Sequence, residues 1–394
     1  MPVYPNQSGW PGQPPDPYGP PPFPPPPPRR ARHGLGFTTL AALVLALAVT
    51  VGLVASRFSA HQLAPHGPLA QSQASALLPV DDPATPADLT AAVSQVLPGT
   101  ALINTQLGLR NGEGAGTGIV LTSGGDVLTN NHVVEGATKI AVTVLGTGKT
   151  YSGSVVGYDR QDDLAVVRLS GASGLPTAPL GDSDRVRIGD AIVGLGNAGG
   201  TGTPTPAPGR VTALNRSITA SDESTGSSEQ LTGLIQVAAD IQPGDSGGPL
   251  INAAGQVIGV NTAASQGFRM GTGGGEGFAI PINKARSIAE QIQAGRASDR
   301  VHIGPTAFLG VTVSDTNGSG AVVRDVVRGG PADQIGLAPG MVVTRIDDHA
   351  IDSATTLVRT MDRYRPGDTV TLTIVDRTGQ TQTAQVKLAR GPVG

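Results

Sequence analysis

Residues 244–249 read GDSGGP, and His132, in TNNHVV, is the single histidine between residues 67 and 301. A serine hydroxyl is a poor nucleophile at neutral pH and needs an imidazole to take its proton. The imidazole needs a carboxylate to fix its tautomer and stabilise its charged form. Ser246 is the expected nucleophile, and His132 is the base by elimination, since no other histidine lies in the same stretch. The carboxylate is one of the adjacent pair Asp162 and Asp163. Asp163 directly precedes the run LAVVRL, whose strand register puts it at the mouth of a barrel beside the base, leaving Asp162 as a solvated turn residue. The glycines of GDSGGP permit a tight turn, and the backbone N–H groups of Gly244 and Ser246 are the expected oxyanion hole.

Other chemistries have little footing. The chain has no cysteine, which excludes disulfides and thiolate catalysis. His61, His66, His302 and His349 lack ligand spacing with any partner, and no glycine loop ends in Lys–Ser/Thr, so no metal and no cofactor are expected. A net charge of −3 with 14% charged residues gives no basic field for nucleic acid.

The elements that would position these groups are mostly strands. GTGIVLTSGGDVLTNNHVV reads as two strands joined at Ser123–Asp126, and KIAVTVL, SGSVVGYD, DLAVVRL, DAIVGLGN, GRVTALN, LIQVAA, GPLINAAGQVIGVNTAA and GFAIPI follow. The pattern predicts an all-β barrel class from residue 89 to 298, closed by an amphipathic helix over 283–295. Gly-, Pro-, Ser- and Thr-rich stretches at 198–209 and 218–229 read as mobile loops. A second β-rich unit spans 307–392, with a helix over 353–364 capped by Asp352 or Ser353.

Upstream, residues 34–56 carry no charge over 23 positions. As a helix they would span roughly 34 Å, enough for a bilayer core. Arg29, Arg30 and Arg32 precede the segment and Arg57 follows, so the N-terminus is expected in the cytoplasm and the rest outside, on a single-pass membrane helix. The alternative is a cleaved signal peptide and a secreted protein. Residues 1–33 form a Pro-rich tail, with 14 prolines in the first 28 positions, a composition too poor in apolar groups to fold. Residues 57–88 read as a linker.

The order His, Asp, Ser, the strings TNNHVV, DDLAVV, GDSGGPL, VIGVNTA and GFAIPIN, and the C-terminal unit resemble the HtrA family over about residues 89–392. The resemblance implies a chymotrypsin-like double β-barrel of two six-stranded barrels, followed by a PDZ domain. It implies His132, Asp163 and Ser246 as the triad, with action on unfolded, damaged or specific proteins outside the cytoplasm. It also implies that Phe308–Leu309–Gly310–Val311 is the carboxylate-binding loop and first binding strand of the PDZ domain, the helix around Thr355–Arg359 forming the opposite wall for a peptide C-terminus. A chaperone or PDZ scaffold with minor proteolysis is the alternative of another class. The family commonly has Asn before the nucleophile, where this chain has Asp245. Asp240, six residues before Ser246, has the spacing of the acid in a trypsin-type specificity pocket and would select Arg or Lys. The family's habit is instead a preference for small aliphatic residues. Relatives often form homotrimers through aromatic contacts near the start of the protease domain, yet residues 59–150 contain no Phe, Tyr or Trp, so the usual contact is missing here.

Overall fold

The computed structural model describes residues 86–109, 112–222, 227–262, 276–316 and 320–393. The Pro-rich tail, the expected membrane helix at 34–56 and the linker up to residue 85 lie outside the described residues. Among the described residues no helix is long and apolar enough to cross a membrane.

The chain enters through a helix, α1 (Pro86–Val96), where the sequence pattern suggested only the start of β structure. Ala92 and Val96 of this helix are buried in a core shared with the barrels. Six strands follow: β1 (Thr100–Leu107), β2 (Gly112–Val120), β3 (Asp126–Thr129), β4 (Lys139–Val144), β5 (Lys149–Asp159) and β6 (Leu164–Leu169). Their order is β5-β4-β1-β2-β3-β6, and β6 pairs back to β5, closing the first barrel. The β2–β3 hairpin forms in the expected place, with Ile119 opposite Leu128 and Val120 opposite Val127. Between β3 and β4 lies one short helix, α2 (Asn131–Val134).

The second barrel comprises β7 (Ala191–Gly196), β8 (Thr205–Asp222), β9 (Ser227–Ala238), β10 (Pro249–Asn252), β11 (Val257–Thr262) and β12 (Glu276–Pro281), closed in the order β10-β11-β12-β9-β8-β7. Much of the two stretches read as loops is therefore strand. Thr205–Gly209 pairs with β7, and Ile218–Asp222 pairs with Ser227–Leu231 in a long ribbon. Threonine and isoleucine suit a pleated ribbon, and cross-strand pairing outweighs the Gly, Pro and Ser content.

Strand β6 shows how the parts fit. Ala165, Val167 and Leu169 point into the first barrel, while Leu164 and Val166 point outward into a core with α3 (Ile282–Gln293). A strand buried on both faces reads as a near-continuous apolar run, as LAVVRL does apart from the exposed Arg168. Helix α3 contributes Ile282, Ala285, Ala289 and Ile292 to that core. The helix ends two residues before the expected 295, and Ala294 beyond it is exposed.

After β13 (Val301–Ile303), which adds to β5, the C-terminal unit begins. It has a two-stranded pair of β14 (Ala307–Phe308) with β21 (Ala389–Arg390). Its main sheet comprises β15 (Val311–Asp315), β16 (Ala321–Val326), β17 (Val342–Ile346), β18 (His349–Ala350), β19 (Thr369–Val375) and β20 (Thr381–Lys387). A short helix, α4 (Pro331–Gln334), and α5 (Ala354–Met361) flank it. Ser353 caps α5 by accepting from Thr356 N at 3.1 Å, and the helix stops three residues before the expected end.

Candidate active site

Helix α2 follows β3 directly, so the candidate base sits at a strand-to-helix junction. Asp163 holds it from the turn between β5 and β6. His132 Nδ1 lies 2.8 Å from Asp163 Oδ2, and the His132 backbone N–H donates to Asp163 Oδ1 at 3.0 Å. Thr262 at the end of β11 donates its hydroxyl to Asp163 Oδ2 at 3.4 Å, and Asn130 Nδ2 donates to the Asp163 carbonyl at 2.8 Å. Asp163 is buried, whereas the His132 side chain is 45% exposed, so the carboxylate holds the Nδ1 edge of a ring that reaches the surface. Asp163 adopts φ 51°, unusual for a non-glycine residue, and these four contacts over-determine it.

Asp162 differs from its expected role. It is buried, not solvated: Lys284 of α3 reaches its Oδ1 at 2.5 Å, and Arg300 pairs with its Oδ2. The Asp159–Asp163 segment is a turn, so the adjacent carboxylates meet different elements. Asp163 faces the candidate base, while Asp162 ties the turn to α3 and to the segment before β13.

Ser246 comes from the other barrel. Thr117 of β2 donates its N–H to the Ser246 carbonyl at 2.9 Å and its hydroxyl to the Gly244 carbonyl at 2.7 Å. Thr117 Oγ1 also accepts from Asn197 N at 3.0 Å. Gly247 is pressed against the same seam at φ 83°. A Cβ there would lie 2.2 Å from the Thr117 carbonyl oxygen and from Thr129 Oγ1, and 3.1 Å from Asn130 N. The serine turn is thus packed onto the end of β3, three residues before His132. Thr117 carries this seam, and nothing in the sequence distinguishes it from an ordinary strand threonine.

Gln242–Pro243–Gly244–Asp245 follows the type II turn pattern. Asp245 N donates to the Gln242 carbonyl at 2.9 Å, proline occupies the second position and Gly244 the third at φ 101°. The Pro243 carbonyl accepts from Gly199 N at 2.8 Å, and the Asp245 carbonyl from Gly248 N at 3.0 Å. Across a planar trans peptide the N–H points opposite to the carbonyl. The N–H groups of Gly244 and Ser246 therefore face away from those partners.

Asp245 is buried, and its Oδ2 accepts from Gln242 N at 2.9 Å. Burial pushes its carboxyl up to about 6, with Asp240 adding to the rise. Asp240 itself is exposed, and its Oδ2 takes a hydrogen bond from Gln242 Nε2 at 2.6 Å. It does not occupy a buried pocket base. Ile241 occupies the neighbouring space instead: a Cβ on Gly194 of β7 would come 2.3 Å from its Cδ1, and one on Gly277 of β12 2.4 Å from its Cγ1.

In the C-terminal unit, Leu309 is a core residue, and Val311 packs partly against the same core. Gly310 adopts φ 85° between them. The carbonyls of Leu309 and Gly310 accept from Ala332 N and Val327 N, each at 2.9 Å. Phe308 belongs to β14, with its ring against Gly310. Asp315 at the end of β15 accepts from Ala354 N at 2.7 Å, which brings the start of α5 to the end of that strand.

Comparison with known proteins agrees with this architecture. Residues 116–260 match the profile of the trypsin-like peptidase domain, and residues 307–388 that of the PDZ domain. The chain is 35% identical over 381 residues to the serine protease PepD of Mycobacterium tuberculosis, covering 92% of this chain and 79% of that protein. It is 31% identical over 343 residues to the serine protease Do-like HtrB of Bacillus subtilis, covering 79% of this chain and 72% of the relative. Among solved structures, HtrA-type protease AlgW with decapeptide is 30% identical, with a TM-score of 0.45, over 77% of this chain and 99% of that one.

Proposed function

The chain belongs to the HtrA family of serine endopeptidases with a trypsin-like domain and a PDZ domain, and we propose that it cleaves proteins outside the cytoplasmic membrane through Ser246, His132 and Asp163. The Ser246 Oγ attacks the scissile carbonyl carbon as His132 Nε2 takes its proton. The N–H groups of Gly244 and Ser246 stabilise the oxyanion. His132 then returns the proton to the leaving amine, and water hydrolyses the acyl-enzyme by the same route in reverse. Asp163 holds the imidazole by its Nδ1 edge and stabilises its charged form. The 2.8 Å contact between His132 Nδ1 and Asp163 supports this most directly, because it leaves Nε2 as the edge that can exchange a proton.

Ile241 floors the primary specificity pocket, which favours small aliphatic side chains over Arg or Lys. Substrates are unfolded or damaged proteins, and Phe308–Val311 with α5 binds their C-termini as an added strand. The uncharged segment 34–56 anchors the chain in the membrane with its N-terminus in the cytoplasm. The test is turnover of a reduced, unfolded protein substrate by the wild type and Ser246→Ala. The variant should lose about a millionfold in kcat. Substantial residual cleavage by the purified variant would defeat the assignment.

A further inference from the structure

Arg160, in the turn after β5, touches both segments that carry the candidate base and carboxylate. Its carbonyl accepts from Asp163 N at 3.1 Å. Its guanidinium Nη1 donates to Glu135 Oε1 at 2.8 Å, and Glu135 is the residue that ends α2, three positions after His132. The other edge of the same guanidinium is filled from the C-terminal unit. Asp362, the residue that ends α5, accepts from Arg160 Nε and Nη2, each at 3.3 Å. Tyr158 donates its hydroxyl to Asp362 Oδ1 at 2.6 Å and lies under the Arg160 guanidinium, 5.3 Å from ring centroid to Cζ. His302 stacks on Tyr158 at 4.9 Å and places Nδ1 2.8 Å from the Asp362 carbonyl.

The Arg160 side chain is only 11% exposed, so a missing carboxylate would leave a largely desolvated guanidinium half-satisfied. Burial works against its charge, and Asp362 and then Glu135 outweigh that, keeping it firmly protonated. A second tie reaches the same place. The Val393 carbonyl accepts from Gly136 N at 2.6 Å, and Val393 N donates to the Ala137 carbonyl at 3.2 Å. Contacts from the C-terminal unit thus converge on residues 135–137, directly after the base-bearing helix.

We propose that Asp362 is a positioning residue for peptide hydrolysis: through Arg160 it sets the pose of α2 and of the Asp163 turn, so that the PDZ unit completes the alignment of the triad. This role rests on the reading of His132 and Asp163 as base and carboxylate. The planar guanidinium holds Glu135 at Nη1 and Asp362 at Nε and Nη2 in a fixed geometry that a lysine's single ammonium does not reproduce.

The test uses the full chain and compares Asp362→Ala, Asp362→Asn and Arg160→Lys with the wild type. The readouts are kcat, KM and the rate at which a fluorophosphonate labels Ser246. In folded variants kcat and labelling rate should fall together by about ten- to a hundredfold with KM unchanged, as expected for a misplaced base. Asp362→Asn, nearly isosteric, decides the matter if Asp362→Ala does not fold. A folded Asp362→Asn with kcat and labelling within twofold of wild type, or one that changes KM alone, overturns the proposal. Ser246→Ala measured alongside separates the two failures. Residual turnover there defeats the triad, whereas an inactive Ser246→Ala beside an unaffected Asp362→Asn defeats only the positioning role.

Discussion

The Thr117 hydroxyl donates to the Gly244 carbonyl at 2.7 Å, joining a strand of the first barrel to the serine turn of the second. The same oxygen accepts from Asn197 N, so one hydroxyl satisfies two buried backbone groups across the seam. Thr117→Val keeps the shape and removes both bonds. It should destabilise the protein by about 1–3 kcal/mol in denaturant unfolding. It should also lower kcat about tenfold if Gly244 and Ser246 are the oxyanion donors proposed above, because their turn loses its brace. Thr117→Ser should retain most of both.

The two adjacent aspartates should separate cleanly. Asp163→Asn should lower kcat about ten-thousandfold with little change in KM, because the imidazole loses the tautomer it needs. Asp162→Asn breaks the buried contacts to Lys284 and Arg300. It should lower the melting temperature while leaving kcat/KM within about tenfold of wild type, the site being one turn removed. Steady-state kinetics and thermal melts on the two variants check this, and equal losses of activity would contradict the division of roles.

Asp245 should make stability depend on pH. Its folded-state pKa, about 6, lies above the unstructured value of 3.8, so the folded form holds its proton more tightly. The resulting stability is fully present below pH 3.8 and is lost as pH rises through about 6. Asp245→Asn removes the buried charge. It should therefore melt about 3 °C higher than wild type at pH 8, with the difference vanishing near pH 4. Melting curves at the two pH values decide it, and a variant less stable at pH 8 would contradict it.

Cleavage preference should follow Ile241 and not Asp240. In a peptide library, Asp240→Asn should leave the small aliphatic preference intact, since that carboxylate is exposed and engaged by Gln242. Ile241→Gly should open the space beside Gly194 and Gly277 and admit larger apolar side chains. A wild-type preference for Arg or Lys would contradict this.

An all-β barrel class and a second β-rich C-terminal unit were legible from apolar runs and glycine turns, the division into two barrels came from the family resemblance, and GDSGGP with its lone histidine marked the serine chemistry. Asp163 was legible through its place ahead of LAVVRL. Asp162 was not, because its partners Lys284 and Arg300 lie more than a hundred residues away and no local pattern joins them. Thr117 and Ile241 were hidden for a related reason: each acts through backbone or glycine surfaces that any threonine or isoleucine could meet. The ribbon of β8 and β9 was misread because Gly, Pro, Ser and Thr content argues for loops, while strand pairing depends on the facing residues.

The most direct measurement is the rate at which a fluorophosphonate modifies the wild type and His132→Ala, with the site of attachment mapped by mass spectrometry. The label should fall on Ser246 in the wild type, and the rate should drop by at least about a thousandfold in His132→Ala. Attachment elsewhere, or an undiminished rate at Ser246 without the imidazole, would contradict the central claim.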